Sequence, residues 1–158
     1  KAQSVTLNYT AKNGETYLRP CLLTHKPLDL VILMLGTNDL NRLFSLSAQD
    51  IASGAEKLVR IILASNAGPR ENAPKVLLVC PASVRTLPIM VDMFGVDAEE
   101  RSLRMPALYA EAAQRCGCEF FDAATVASVS GADGIHLSEA SHAALGDKLT
   151  EIVRAMLS

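Results

Sequence analysis

The stretch "LDLVILML" (residues 28–35) is a nearly continuous aliphatic run, and it decides the fold class. A second run, "KVLLVC" (75–80), has the same character, and "CEFFDA" (118–123) is a shorter version of it. Aliphatic runs without polar alternation are typical of parallel strands that are covered on both faces. These stretches therefore predict three strands of a mostly parallel sheet.

Amphipathic patterns predict a helix after each of these strands, at residues 47–65, 97–117 and 138–157. The first and third begin with N-cap serines, Ser47 and Ser138. Pro106 lies within the second pattern and is expected to kink that helix or to start a new one. Alternation of strands and helices predicts an α/β fold with right-handed crossovers, in a single domain over residues 1–158.

Composition and charge exclude several classes of function. The 158 residues carry a net charge of −2 and have no cluster of Lys and Arg, so a nucleic-acid partner is not expected. The longest apolar run is too short to cross a bilayer, so no membrane partner is expected. The four cysteines are not spaced as C-x-x-C pairs, which favours reduced thiols in a cytoplasmic protein over a zinc site or disulfides.

The segment at residues 82–96 carries many apolar side chains between a predicted strand and a predicted helix. Apolar surface on a long irregular connection indicates a pocket wall or a subunit contact. The alternative is a loop that packs on the core of its own chain. On the first interpretation we expect a homo-oligomer.

Ligands of parallel α/β sheets bind at the carboxyl ends of the strands, which directs attention to "GTNDL", "PASV" and "DGIH". Asn38, just beyond the first strand, could donate a side-chain N–H to an oxyanion that develops in a reaction. Alternatively, Asn38 and Asp39 only shape the turn. The residues alone leave both interpretations open.

Asp133 and His136 are three residues apart, with Gly134 between them to allow a tight loop. A histidine whose ring is oriented by a carboxylate is suited to act as a general base. The alternatives are an acid beside a surface histidine, or a metal pair that lacks a third ligand. His25 and His142 are expected to have no catalytic role.

A strand that ends in G-T-N-D, followed 95 residues after Asn38 by D-G-x-H at the start of the last helix, resembles the SGNH hydrolase family, also called GDSL-type esterases. The stretches "CLLTHKPLDLVILMLGTNDL" (21–40) and "FFDAATVASVSGADGIHLSEASHAALG" (120–146) are similar to the bacterial arylesterases and acyltransferases of that family. The resemblance implies a flavodoxin-like three-layer sandwich and the hydrolysis, or acyl transfer, of small esters by a serine nucleophile without a cofactor. It implies that Asn38 is the oxyanion donor, His136 the base and Asp133 the acid that orients it. It also implies that Pro81 and Ala82 line the substrate pocket.

The sequence departs from the family at its beginning, because it contains no G-D-S nucleophile block. The first residues can be aligned so that Ser4 stands for the nucleophile, or so that Asn13 and Gly14 lead into the helix before the first strand. We favour the second alignment, since only three residues precede Ser4. It predicts that the family's first strand and nucleophile segment are absent from this chain, which would leave an unpaired strand edge and an exposed apolar slot.

Two further hypotheses belong to other classes of function. One is a catalytically inactive α/β module that binds a ligand or partner and has lost its nucleophile. The other is a phosphate or nucleotide binder, although neither G-x-G-x-x-G nor a P-loop pattern occurs in the sequence.

Overall fold

The computed structural model describes residues 13–158. Three parallel strands form one sheet in the order β1-β2-β3: β1 (Leu30–Met34), β2 (Lys75–Cys80) and β3 (Glu119–Asp122). Five helices accompany them: α1 (Gly14–His25), α2 (Ala48–Leu63), α3 (Val91–Phe94), α4 (Ala98–Cys116) and α5 (Glu139–Leu157). The predicted α/β fold with a parallel sheet is confirmed.

The helices begin where local capping dictates. The Ser47 side chain accepts a hydrogen bond from the Asp50 backbone N–H, and the Asp50 carboxylate accepts one from the Ser47 backbone N–H, which completes a capping box at the start of α2. The Asn13 side chain caps α1 with a single hydrogen bond, which it accepts from Glu15 N–H. Pro106 lies inside α4, which is continuous across it, so the prediction that a new helix starts there is wrong. Pro106 occupies the third turn of a helix that is held by extensive packing against α2.

Strand β2 is the centre of the sheet, and its alternate side chains enter two separate cores. Leu78 packs with α2 and α4 on one face, whereas Leu77 and Val79 pack with Leu145 of α5 on the other. All three β2 side chains are fully buried. Burial on both faces, expected from the unbroken aliphatic run, is confirmed for this strand.

Strand β1 departs from that expectation. It pairs with β2 through register partners such as Leu33 and Leu78, but no other strand of residues 13–158 pairs with its second edge. Ile32 and Met34 are 42% and 41% exposed, so the aliphatic run of β1 is only partly buried. The prediction that β1 is covered on both faces is therefore wrong for the described residues.

The connection at residues 82–96 is more ordered than predicted. It contains a short 3₁₀ turn, Pro88–Met90, followed by α3. Phe94 is buried in the core, whereas Ile89 and Val96 are more than 70% exposed. The interpretation as a loop that packs on its own core is thus confirmed for Phe94, and the subunit contact stays a prediction. None of the helices over residues 13–158 is long and apolar enough to span a membrane.

Candidate active site

The first component of the site is the turn at the carboxyl end of β1. The Tyr109 hydroxyl of α4 donates a hydrogen bond of 2.8 Å to the carbonyl oxygen of Leu35, which fixes the end of the strand. The next residue, Gly36, has φ of 128°, and a Cβ there would overlap the Tyr109 hydroxyl and lie 2.9 Å from Met105 Cε. Only glycine fits this backbone and this space. The chain is thereby directed into the 3₁₀ turn Asn38–Leu40.

Asn38 and Asp39 differ in their surroundings within that turn. The side-chain amide of Asn38 is exposed and makes no hydrogen bond to any residue of the described part of the chain. Asp39 is half-buried, and the resulting desolvation raises the pKa of its carboxyl group. A side-chain amide that no described residue engages is able to donate to a bound ligand, as the oxyanion interpretation of Asn38 requires, while its backbone carbonyl oxygen takes part in the turn.

A cleft of about 820 Å³ opens beside this turn. Asn38 and Asp39 line it together with Tyr109, Phe94 and Pro81. Pro81 thus lies where the resemblance placed it, whereas Ala82 is buried and is not among the lining residues, so its predicted place in the pocket wall is not seen.

The second component is the pair formed by Asp133 and His136. Asp133 Oδ2 lies 2.6 Å from His136 Nδ1, and Asp133 Oδ1 accepts hydrogen bonds from the backbone N–H groups of Ile135 and His136 at 2.8 and 3.0 Å. The hydrogen bond from His136, followed by those two N–H groups, lowers the pKa of Asp133 to about 2. The carboxylate is therefore ionised throughout the neutral range and can stabilise a protonated imidazole.

The His136 side chain is 81% exposed, and Asp133 is its only side-chain partner among the described residues. Nδ1 is occupied by the carboxylate, so Nε2 faces solvent. This is the arrangement that a general base requires, with one nitrogen held and the other able to take a proton. The predicted proximity of the two side chains is confirmed.

The loop around this pair is closed by backbone hydrogen bonds. Gly134 has φ of 73°, and its carbonyl oxygen accepts a 2.8 Å bond from Arg85 N–H. A Cβ on Gly134 would overlap the carbonyl oxygen of Arg85. The tight turn expected at this glycine is present, and it rests against the segment that follows β2.

The two components lie at the same end of the sheet without direct contact. His136 is not among the residues that line the cleft beside Asn38, and no hydrogen bond joins the two side chains. The segment after β2 connects them, because Pro81 lines the cleft and Arg85 holds the Gly134 loop.

The other residues considered from the sequence lie apart from this pair. His25 Nδ1 lies 2.9 Å from the carbonyl oxygen of Cys21 at the end of α1, and His142 is exposed on α5. Ser4 lies outside the described residues. Residues 13–158 contain no group of three or more His, Cys, Asp or Glu side chains that could hold a metal ion.

The chain resembles known proteins over nearly its whole length. A model of the GDSL-like Lipase/Acylhydrolase family matches residues 2–144. The chain belongs to this family. The family predicted from the G-T-N-D and D-G-x-H motifs is thus confirmed, as is the general class of carboxylic ester hydrolase.

Several solved structures of GDSL-like proteins are similar to this one. The native aryl esterase of M. smegmatis is 40% identical with a TM-score of 0.84, over 90% of this chain and 68% of that chain. Est24, a carbohydrate acetylesterase from Sinorhizobium meliloti, is 40% identical with a TM-score of 0.85, over 90% and 68% of the two chains. A carbohydrate acetylesterase family member from the same organism is 33% identical with a TM-score of 0.85, over 92% and 70%. No curated protein sequence gives a significant match.

Proposed function

We propose that this GDSL-like protein is a serine esterase that acts on small carboxylic esters. In it, His136 is the general base, Asp133 orients the imidazole and Asn38 donates a hydrogen bond to the oxyanion. The observation that carries the proposal is the 2.6 Å contact between Asp133 and His136 Nδ1, which leaves Nε2 directed to solvent. The similarity to an aryl esterase and to carbohydrate acetylesterases supports aryl esters and acetyl esters as substrates.

The proposed reaction gives each of these residues one role. His136 Nε2 takes the proton of a serine hydroxyl while the serine oxygen attacks the ester carbonyl carbon, and the carbonyl electrons move to the oxygen. The Asn38 amide donates to that oxyanion, an interaction that can contribute about 3 kcal/mol to the transition state. The protonated imidazole then transfers its proton to the leaving alcohol as the carbon–oxygen bond breaks, which leaves an acyl-enzyme.

Water completes the cycle. His136 removes a proton from water as the water oxygen attacks the acyl carbon, and the protonated imidazole then returns the proton to the serine oxygen as the bond to the acyl group breaks, which releases the carboxylic acid and restores the serine. An imidazole that is 81% exposed is readily reached by water, and this supports hydrolysis as the main outcome. An alcohol in the place of that water gives acyl transfer by the same steps.

The lining of the cleft supports a neutral substrate. Its charged side chains are all acidic, namely Glu15, Asp39 and Asp50, and no Lys or Arg is among its lining residues in the described part of the chain. An anionic ester would meet repulsion from the carboxylates without a compensating cation.

One observation favours a second candidate, the inactive binding module. No serine hydroxyl of residues 13–158 hydrogen-bonds to the His136 ring. On this alternative the Asp133–His136 pair persists without a nucleophile, and the cleft only binds a ligand or partner.

Labelling with a fluorophosphonate distinguishes the two candidates. The protein is expressed from its own gene with any sequence encoded upstream of Lys1, treated with the probe, and analysed by intact mass and peptide mapping. A single adduct on a serine, with parallel loss of hydrolysis of an aryl acetate, is the expected result and assigns the nucleophile. Absence of both an adduct and hydrolysis would contradict the esterase proposal and favour the binding module.

A further inference from the structure

The side chain of Arg101 on α4 is directed into the loop that follows Asn38. Its Nη1 donates a 2.8 Å hydrogen bond to the carbonyl oxygen of Leu46, and its Nη2 donates to those of Leu40 and Phe94 at 2.8 and 3.1 Å. Its Nε lies 2.9 Å from Asp97 Oδ2 but lacks the alignment of a hydrogen bond, so Asp97 contributes charge rather than direction. The side chain is only 14% exposed.

Two of the three carbonyl groups mark the ends of the loop. Leu40 is the last residue of the turn that carries Asn38, and Leu46 is the residue before Ser47, the N-cap of α2. The third belongs to Phe94, which ends α3 and lines the cleft. One guanidinium thus joins both ends of the loop at residues 40–46 to the cleft wall.

Packing and other hydrogen bonds hold parts of this loop as well. Leu40 is fully buried, Arg42 N–H donates to the carbonyl oxygen of Met93, and Asn41 is buried with its side chain bonded to Leu43 N–H. In contrast, Leu43 is 64% exposed. The side chain of Arg101 bonds to both ends of the loop, so the exposed residues between them depend on those bonds for their position.

We propose that Arg101 is a positioning residue that holds the Asn38 turn in the geometry required for oxyanion binding. This inference rests on the proposed function, because it assigns Arg101 an effect on catalysis that is exerted through Asn38. The planar fork of arginine spreads its donors over separate nitrogens, so that Nη1 and Nη2 reach different carbonyl groups, whereas the donors of lysine all sit on one nitrogen. Arg101→Lys is therefore expected to retain only part of the effect.

Hydrogen exchange tests the anchoring and does not depend on activity. Arg101→Met keeps the aliphatic stem and removes the three donated bonds, and Arg104→Met is the matched control one turn away on the same helix, where Arg104 is exposed. Backbone amides of residues 40–46 should exchange at least about tenfold faster in Arg101→Met, since hydrogen bonds from a charged group contribute enough free energy for that change. Unchanged exchange over 40–46, or an equal change in the control, overturns the proposal. If Arg101→Met does not fold, the same comparison is made with Arg101→Lys.

Kinetics test the consequence for catalysis. Arg101→Met should lower kcat roughly ten- to hundredfold with little change in KM, because a small displacement of a catalytic group is costly. In an Asn38→Ala background the same substitution should have almost no further effect, since the residue through which it acts is gone. A purely structural role would instead lower kcat equally in both backgrounds, and that result overturns the proposal. If Asn38→Ala leaves kcat unchanged or the parent protein is inactive, the proposed function fails, and with it the catalytic part of this inference.

Discussion

Replacing Gly134 by alanine should destabilise the protein and disturb the Asp133–His136 pair. Gly134 has φ of 73°, a region in which an L-residue costs roughly 1–2 kcal/mol. Its new Cβ would overlap the carbonyl oxygen of Arg85 and lie 3.1 Å from Leu87 Cγ. Backbone cannot yield as a flexible side chain does, and such overpacking costs about 1–3 kcal/mol. The expected loss is therefore about 2–5 kcal/mol, which corresponds to a Tm lower by roughly 4–20 °C for a chain of this size.

The same loop provides the control. A Cβ on Gly131 would meet nothing within 4 Å, so Gly131→Ala should leave Tm almost unchanged. Both variants are compared with the parent by thermal and urea unfolding, together with ester hydrolysis at a temperature where all three are folded. Activity should fall in Gly134→Ala alone, because the turn must shift away from Arg85 and move His136. A Gly134→Ala protein as stable and as active as Gly131→Ala would refute this reasoning.

Three further predictions concern other parts of the molecule. Tyr109→Phe removes the hydrogen bond to the carbonyl oxygen of Leu35 and should lower the free energy of unfolding by about 1 kcal/mol, measured with urea; an unchanged midpoint would contradict the role given to the hydroxyl. The pKa of Asp133 is lowered in the folded state to about 2, so its stabilising effect should be complete above the ordinary carboxyl range near pH 4 and be lost as the pH falls toward 2. The unfolding midpoints of the parent and Asp133→Asn should accordingly converge over that interval, and a constant difference down to pH 2 would argue against it. The exposed Ile89 and Val96 support the expected homo-oligomer, which sedimentation velocity at micromolar concentration tests; a monomer under those conditions would count against it.

The elements predicted correctly are those whose signals are local. The aliphatic run at 75–80 forms strand β2, and Ser47 caps α2, because strand formation and helix capping both depend on neighbouring residues. The Asp133–His136 pair could also be predicted from the sequence, since its members are three positions apart and Gly134 lies between them. These features need no knowledge of the rest of the fold.

The features that were missed depend on distant parts of the chain. Tyr109 reaches a carbonyl group 74 residues away and Arg101 one 61 residues away, and neither side chain has a local pattern that reveals this. Tyr109 resembles an ordinary core residue of an amphipathic helix, and Arg101 an ordinary charge on its surface. The exposure of Ile32 on β1 likewise does not follow from the aliphatic run alone, because such a run does not specify what packs against it.

The most direct test of the central claim compares two histidines. Steady-state hydrolysis of an aryl acetate is measured for the parent protein, for His136→Ala and for His142→Ala, an exposed histidine on α5. If His136 is the general base, its removal should lower kcat/KM between about 10² and 10⁴-fold, whereas the His142 variant should match the parent. Equal activity of the two variants, or a parent protein that hydrolyses no ester, would contradict the account.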